Sequence, residues 1–161
     1  MAEGPGGNRR HRFPPRGRCR LRGGSASLRQ RATGPVGALS VLLDTSILVD
    51  HLRAAATATE YLADLEGRPA CSEISRIEVL QGLRSAERQA ASRLFVLIEW
   101  VPVTEAIAQR AGELGRKWRR SHPGIGVADL AIAATAELLH ASLATRNLKH
   151  FPMFKSLRAP Y

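Results

Sequence analysis

Two aspartates stand where a globular chain ordinarily places hydrocarbon. Asp44 closes the run Val41-Leu42-Leu43 and opens Thr45-Ser46-Ile47-Leu48-Val49, and Asp129 separates Ile125-Gly126-Val127-Ala128 from Leu130-Ala131-Ile132-Ala133-Ala134. A carboxylate in apolar surroundings is costly unless it is paired, protonated or bound to a cation. A divalent metal shared between the two acids meets that requirement, so the chain is a candidate metal-dependent enzyme. Mg2+ and Mn2+ take hard oxygen ligands from separate elements, and a third ligand must then come from the middle of the chain. Glu73 and Glu78 both qualify, and spacing alone does not choose between them.

Other site chemistries find less support. The five histidines form no His-x-His or His-x-x-x-His pair, which argues against zinc. Cys19 and Cys71 are the only cysteines, too few for a disulfide framework or a thiolate cluster. His122-Pro123-Gly124-Ile125-Gly126 lacks the Lys-Ser/Thr of a phosphate-binding loop and reads as a turn. Arg116, Lys117, Arg119 and Arg120 end a helical stretch shortly before Asp129. They read either as a solvated helix end favoured by the dipole or as a phosphate clamp beside the acids. Trp118, among them, reads as a packed residue or as a platform for an unpaired base.

The elements that must position these acids follow from periodicity. Val41–Leu43, 69–72, 101–103 and 142–145 read as strands; 46–53, 58–65, 74–84, 87–98, 105–120 and 127–139 read as helices, with Thr104 as an N-cap. Strands alternating with helices imply a parallel sheet covered on both faces. Ligands bind such sheets beyond the carboxyl ends of the strands. Asp44 ends the first strand, and Thr145, Arg146 and Asn147 follow the last, so all four are expected at one rim. Asp129 falls in the first turn of its helix, on the face shared with Ile132, Ala133 and Ala136. Ala131, Ala133, Ala134 and Ala136 suit close packing of that helix.

The chain has 161 residues and a formal charge of +10, unevenly spread. Residues 1–40 carry nine Arg and one Glu, whereas 41–161 hold 15 basic and 13 acidic residues and are nearly neutral. The first 40 residues are rich in Arg, Gly and Pro, have no helical or strand periodicity, and are expected to be disordered. They read either as a nucleic-acid tether or as sequence upstream of the true start. No apolar signal region follows the basic stretch, and no run of about 18 apolar residues suggests a membrane span. A cytoplasmic protein is expected.

Four stretches share one further property. Leu42-Leu43-Asp44-Thr45-Ser46, Ser75-Arg76-Ile77-Glu78-Val79, Gly126-Val127-Ala128-Asp129-Leu130-Ala131 and Ala144-Thr145-Arg146-Asn147-Leu148-Lys149-His150-Phe151 resemble, in order, the successive motifs of the PIN-domain family, in particular of VapC-type toxins. The resemblance covers nearly all of 41–161 and none of 1–40. It implies a three-layer α/β/α fold with a central parallel sheet, and it places the family's central glutamate at Glu78, leaving Glu73 as a cap or solvated turn acid.

The resemblance further implies an endoribonuclease using Mg2+ or Mn2+, the toxin of a type II toxin–antitoxin pair. Asp44, Glu78 and Asp129 would hold the metal and position a hydroxide for in-line attack on an RNA phosphodiester, with Asn147 as a fourth site residue where the family often has an acid. Ser46, Thr145, Arg146, Arg119 and Arg120 are the candidate substrate-binding residues. A VapB-type antitoxin and a second copy of the chain are the implied protein partners. Two rivals remain at this point: a non-catalytic PIN-like module acting with its partner on DNA, and a haloacid-dehalogenase-like phosphatase. The second expects another Asp two residues after Asp44, where the chain has Ser46.

Overall fold

A computed structural model describes residues 41–161; the expectations for residues 1–40 lie outside the described residues. Four short strands, β1 (Val41–Leu43), β2 (Ala70–Ser72), β3 (Glu99–Val101) and β4 (Ser142–Ala144), form one parallel sheet in the order β3-β2-β1-β4. The connections carry helices α1 (Thr45–Leu52), α2 (Ala56–Ala63), α3 (Glu73–Gly82), α4 (Arg88–Leu97), α5 (Glu105–Trp118) and α6 (Val127–Leu139).

The period-two geometry of the strands builds the three layers. Leu42 is in register with Ala70 and Leu143, and this row packs with Leu114, Ile132 and Phe151 under α5 and α6. The next row, Leu43 with Cys71 and Ala144, points to the opposite face and packs with Ile47, Leu48, Val79, Leu94 and Ile98 from α1, α3 and α4. Leu42, Leu43, Ile47 and Leu48 are fully buried. Truncating any one of them to Ala costs about 2–5 kcal/mol. The fold class expected from the alternation of elements is the one found.

Ala133, Ala134 and Ala136 are fully buried, which brings α6 close to both the sheet and α5. Gly115 serves the same approach from the other side. A Cβ there would meet Leu130 Cδ1 at 3.1 Å.

The observed α6 coincides with its expected span, and Thr104 caps α5 by accepting from the Ile107 amide at 3.3 Å. The third strand differs: it lies at Glu99–Val101 rather than 101–103. Pro102 has no N–H to give to a ladder, so the apolar Val101-Pro102-Val103 cannot continue as strand. Pairing is instead fixed from the β2 side, with Ser72 opposite Val101. Among the described residues no helix is long and apolar enough to cross a membrane.

The sheet order fixes where a ligand can sit. From β1 the chain moves outward through β2 to β3, and β4 returns to the other side of β1. The reversal opens a crevice beyond the carboxyl ends of β1 and β4. Asp44 follows β1 there, and Thr145 follows β4.

Candidate active site

Asp44 is the N-cap of α1 in an extended conformation, and only 5% of it is exposed. Its Oδ2 accepts from Ser46 Oγ at 2.6 Å, from Thr145 Oγ1 at 2.7 Å and, more weakly, from the Ser46 amide at 3.4 Å. Asp44 N donates to the Ala144 carbonyl at 2.9 Å, which locks the end of β1 to that of β4. Thr145 is fully buried, and its Oγ1 also accepts from Asn147 N at 2.9 Å. Ser46 Oγ accepts from Arg146 N at 3.1 Å. Asp44, Ser46, Thr145, Arg146 and Asn147 thus form one hydrogen-bonded unit.

Two of these residues, Ser46 and Thr145, direct their hydroxyls at the carboxylate. Ser46 and Thr145 were candidates for contact with substrate, yet both hydroxyls are turned onto Asp44, and Thr145 is closed off from solvent. Both hydroxyls fix the direction of that carboxylate.

Glu78 joins the unit through the neighbour of Asp44. Thr45, the first residue of α1, donates from Oγ1 to Glu78 Oε2 at 2.5 Å. Glu78 is half-buried on α3, a helix that packs against both α1 and α6. Glu73 lies apart, in the first turn of α3, where it pairs with Arg76 at 3.2 Å.

Asp129, in the first turn of α6, turns its carboxylate back over the helix start. Oδ2 accepts from Gly126 N at 2.7 Å, and His150 Nδ1 lies 3.1 Å from the same oxygen. With the carboxylate ionised, Nδ1 carries the hydrogen. A Cβ on Gly126 would stand 3.2 Å from that oxygen, so glycine gives the carboxylate its room.

A common feature runs through the three acids. Each receives its hydrogen bonds through one oxygen, Oδ2, Oε2 and Oδ2, and among the described residues no bond reaches the other. Three carboxylates on three neighbouring elements are a donor set suited to a hard divalent cation. Among the described residues no three of His, Cys, Asp and Glu close into a metal-holding group. Each acid is turned to its own donors: hydroxyls at Asp44 and Glu78, and a backbone amide with His150 at Asp129.

Arg146 stands at the mouth of the crevice, half exposed. Its guanidinium pairs with Asp50 at 3.2 Å and lies 5.1 Å over the Tyr161 ring. Tyr161 in turn donates to Asp50 at 3.3 Å and packs on Tyr61. Arg119 and Arg120 lie elsewhere, on the rim of a groove between α5 and α6. Trp118 is half-buried against the core and meets His122 edge-on. Cys71 sits beside Leu43; burial pushes its thiol pKa well up, and the Asp44 charge adds to the shift. It is an inert thiol.

Sequence reasoning missed Thr45, His150, Asp50 and Tyr161. The first adjoins Asp44 and the second follows Asn147 by three residues, but only the fold brings His150 to Asp129 and Tyr161 to Asp50.

Comparison with known proteins identifies the family. The PIN domain matches residues 41–153. Ribonuclease VapC19 of Mycobacterium tuberculosis is 46% identical over 123 residues, 74% of this chain and 98% of the relative. Ribonuclease VapC10 of the same organism is 43% identical over 123 residues, 75% of this chain and 92% of the relative. A toxin–antitoxin complex from Klebsiella pneumoniae contains a chain 29% identical to this one, with a TM-score of 0.64, covering 76% of this chain and 98% of that one. The family match over most of the described residues and the identity to these relatives place the chain in the PIN-domain family, among its VapC-type members.

Proposed function

We propose that this chain is a Mg2+- or Mn2+-dependent endoribonuclease, the toxin of a type II toxin–antitoxin pair, and that Asp44, Glu78 and Asp129 hold the metal with Asn147 beside them. The observation that carries the reading is the shared geometry of the acids. Each is oriented through one oxygen and keeps the other for a ligand. The identity to proteins named ribonucleases supports RNA as substrate.

A divalent ion bound there supplies a lowered pKa for an attacking water and positive charge for the phosphoryl oxygens. The chain's own residues do the rest. Thr145 and Ser46 fix the Asp44 carboxylate, Thr45 fixes Glu78, and Gly126 N with His150 fixes Asp129. Asn147 can accept from or orient a water without adding charge. Arg146, held by Asp50 and Tyr161, offers its guanidinium to a phosphate at the crevice mouth. No side chain is needed as nucleophile.

The likeness to solved toxin–antitoxin complexes supports a VapB-type antitoxin as partner, and a homodimer is the expected assembly. The non-catalytic DNA-binding reading is not favoured: three acids held for a ligand serve no purpose in contacts to DNA phosphates.

The test is cleavage of RNA by the full chain with Mg2+, with Mn2+ and with a chelator, followed by sequencing of the cleaved ends. Cleavage is expected only with metal, and it is lost in Asp44→Ala and Asp129→Ala although both remain folded. Wild-type rates in either variant would refute the site.

A further inference from the structure

Among the described residues two buried side-chain polar atoms have no hydrogen-bond partner, Arg76 Nε and Ser75 Oγ. The first is answered in another way. Arg76 Nε lies 3.2 Å from a Glu73 carboxylate oxygen, and its guanidinium carbon stands 4.2 Å over the Trp100 ring. Ser75 is fully buried and has no such substitute. A buried hydroxyl left unpaired is costly, so it needs a reason.

Hydroxyls inside helices commonly bond back to the carbonyl four residues earlier. Ser92 does so onto Arg88 at 3.0 Å and Thr135 onto Ala131 at 2.7 Å. Ser75 follows Glu73 and Ile74 at the start of α3, so the residue four before it, Cys71, belongs to β2 rather than to the helix. Packing alone would be served by alanine, which α6 uses at its buried positions Ala131, Ala133, Ala134 and Ala136. The hydroxyl therefore calls for a side-chain partner.

Glu78 is placed to be that partner. It follows Ser75 by one helical turn and shares its face of α3. Long side chains on a helix lean toward its N-terminus, over the turn that precedes them, which brings the Glu78 carboxylate back toward Ser75. Thr45 Oγ1 donates to Glu78 Oε2, and among the described residues no bond reaches Oε1. A donor without a partner and an acceptor with one oxygen uncommitted thus lie on one face of α3, the helix that packs against both α1 and α6.

We propose that Ser75 is a positioning residue for Glu78: as that carboxylate turns to take a divalent cation, Ser75 Oγ donates to it as a second donor beside Thr45. The terminal torsion of a glutamate is broad, so a single donor leaves the carboxylate free to turn, and a second one favours the orientation that carries the ion. A contact made only with the ion bound raises affinity for the ion without stabilising the protein in its absence. The proposal rests on the reading of Asp44, Glu78 and Asp129 as a metal site and adds to it a residue that is not an acid. A hydroxyl that only supports packing would act in the opposite sense, on stability and not on affinity.

Ser75→Ala and Ser75→Thr are compared with wild type as full chains, by thermal unfolding in a chelator and by calorimetric titration with Mn2+. In the chelator Ser75→Ala removes a buried polar atom that has no partner, so the midpoint is expected to hold or to rise by about 3 °C. Mn2+ affinity is expected to fall about tenfold, the scale of one hydrogen bond to a charged group. Ser75→Thr keeps the hydroxyl and should recover most of that affinity, although its extra methyl group lowers the midpoint at a fully buried position.

The outcomes separate this assignment from the readings beneath it. If Ser75→Ala binds Mn2+ as wild type does, or Ser75→Thr binds it as weakly as Ser75→Ala, Ser75 does not position Glu78 and the metal site stands. A midpoint lowered by Ser75→Ala in the chelator would mean that the hydroxyl already has a partner without the ion, and the assignment fails. If wild type binds no Mn2+, the metal site and the role of Ser75 fail together. If affinity is lost in Ser75→Ala and restored in Ser75→Thr but wild type cuts no RNA, the ribonuclease reading fails and the role of Ser75 stands.

Discussion

Thr145→Val is the most direct probe of how the fold presents Asp44. The substitution keeps the shape of a fully buried side chain and deletes one hydroxyl that serves two partners, Asp44 Oδ2 at 2.7 Å and Asn147 N at 2.9 Å. The Asn147 N–H is part-buried, so leaving it unpaired costs in the lower part of about 1–3 kcal/mol, and losing a hydrogen bond to a charged group costs about 1.5–3 kcal/mol. Asp44 retains both donors from Ser46, so the lower part of the second range applies. The sum is a destabilisation of roughly 3 kcal/mol, or a fall in urea midpoint on the order of 1–2 M. Activity should fall further than stability explains, because a misplacement of about 1 Å at a reacting centre costs about a hundredfold. The assays are urea denaturation at pH 7 without divalent ions, and kcat and KM for RNA cleavage under conditions where every variant is folded. The loss is expected in kcat with KM little changed, and Thr145→Ser, which restores the hydroxyl, should recover most of it. A Val variant with wild-type midpoint and kcat, or a Ser variant as impaired as Val, would refute the positioning role.

Glu78→Ala should abolish cleavage while Glu73→Ala is nearly silent, since Glu73 has only its surface pairing with Arg76 to lose, worth about 0–1 kcal/mol; the reverse order in a cleavage assay would overturn the choice of ligand. Gly126→Ala leaves a backbone conformation that alanine adopts freely but sets a methyl 3.2 Å from Asp129 Oδ2, so a large loss of kcat with a nearly unchanged thermal midpoint is expected, and full activity would show that Asp129 tolerates displacement. Asn147→Asp adds a negative charge beside Asp44, and calorimetric titration with Mn2+ should show affinity raised about tenfold, roughly 1.4 kcal/mol, whereas unchanged affinity would place Asn147 outside the site. Above about pH 9 the unfolded chain loses the Cys71 proton that the folded chain keeps, so stability should fall with rising pH by up to about 1.4 kcal/mol per unit; the slope between pH 9 and 10 should flatten in Cys71→Ala, and an unaltered slope would mean that the buried thiol is not its source.

The parts of the fold legible in the sequence are those whose signal is local. The helix Val127–Leu139 announces itself by an apolar run of the right length, and Thr104 by its place before a helical period. The strand at Glu99–Val101 does not, because an edge strand with a half-exposed row has no unbroken apolar run, and its register is imposed by Ala70–Ser72. The site divides the same way. Asp44 and Asp129 are conspicuous as charges in hydrocarbon, but Glu78 lies in an ordinary amphipathic stretch and was distinguishable from Glu73 only by its resemblance to a family motif. Thr145, His150 and Tyr161 act across 101, 21 and 111 residues of chain respectively. Nothing in their immediate neighbours encodes those contacts, which exist because β4 lies beside β1 and the C-terminal segment returns to α1 and α6.

That division bears on how such a site is maintained. Hydroxyls and backbone amides dominate the contacts to the acids: Ser46 and Thr145 at Asp44, Thr45 at Glu78, and Gly126 N beside His150 at Asp129. Hydroxyl and amide donors fix the direction of a carboxylate without bringing a formal charge of their own. An arginine or lysine in their place would cancel the charge and compete for the very oxygens a cation needs. The guanidinium of Arg146 is instead held on Asp50 and the ring of Tyr161. The fold therefore holds Arg146 on Asp50 and Tyr161 at the crevice mouth and leaves the acids to be oriented by hydroxyls, a backbone amide and His150.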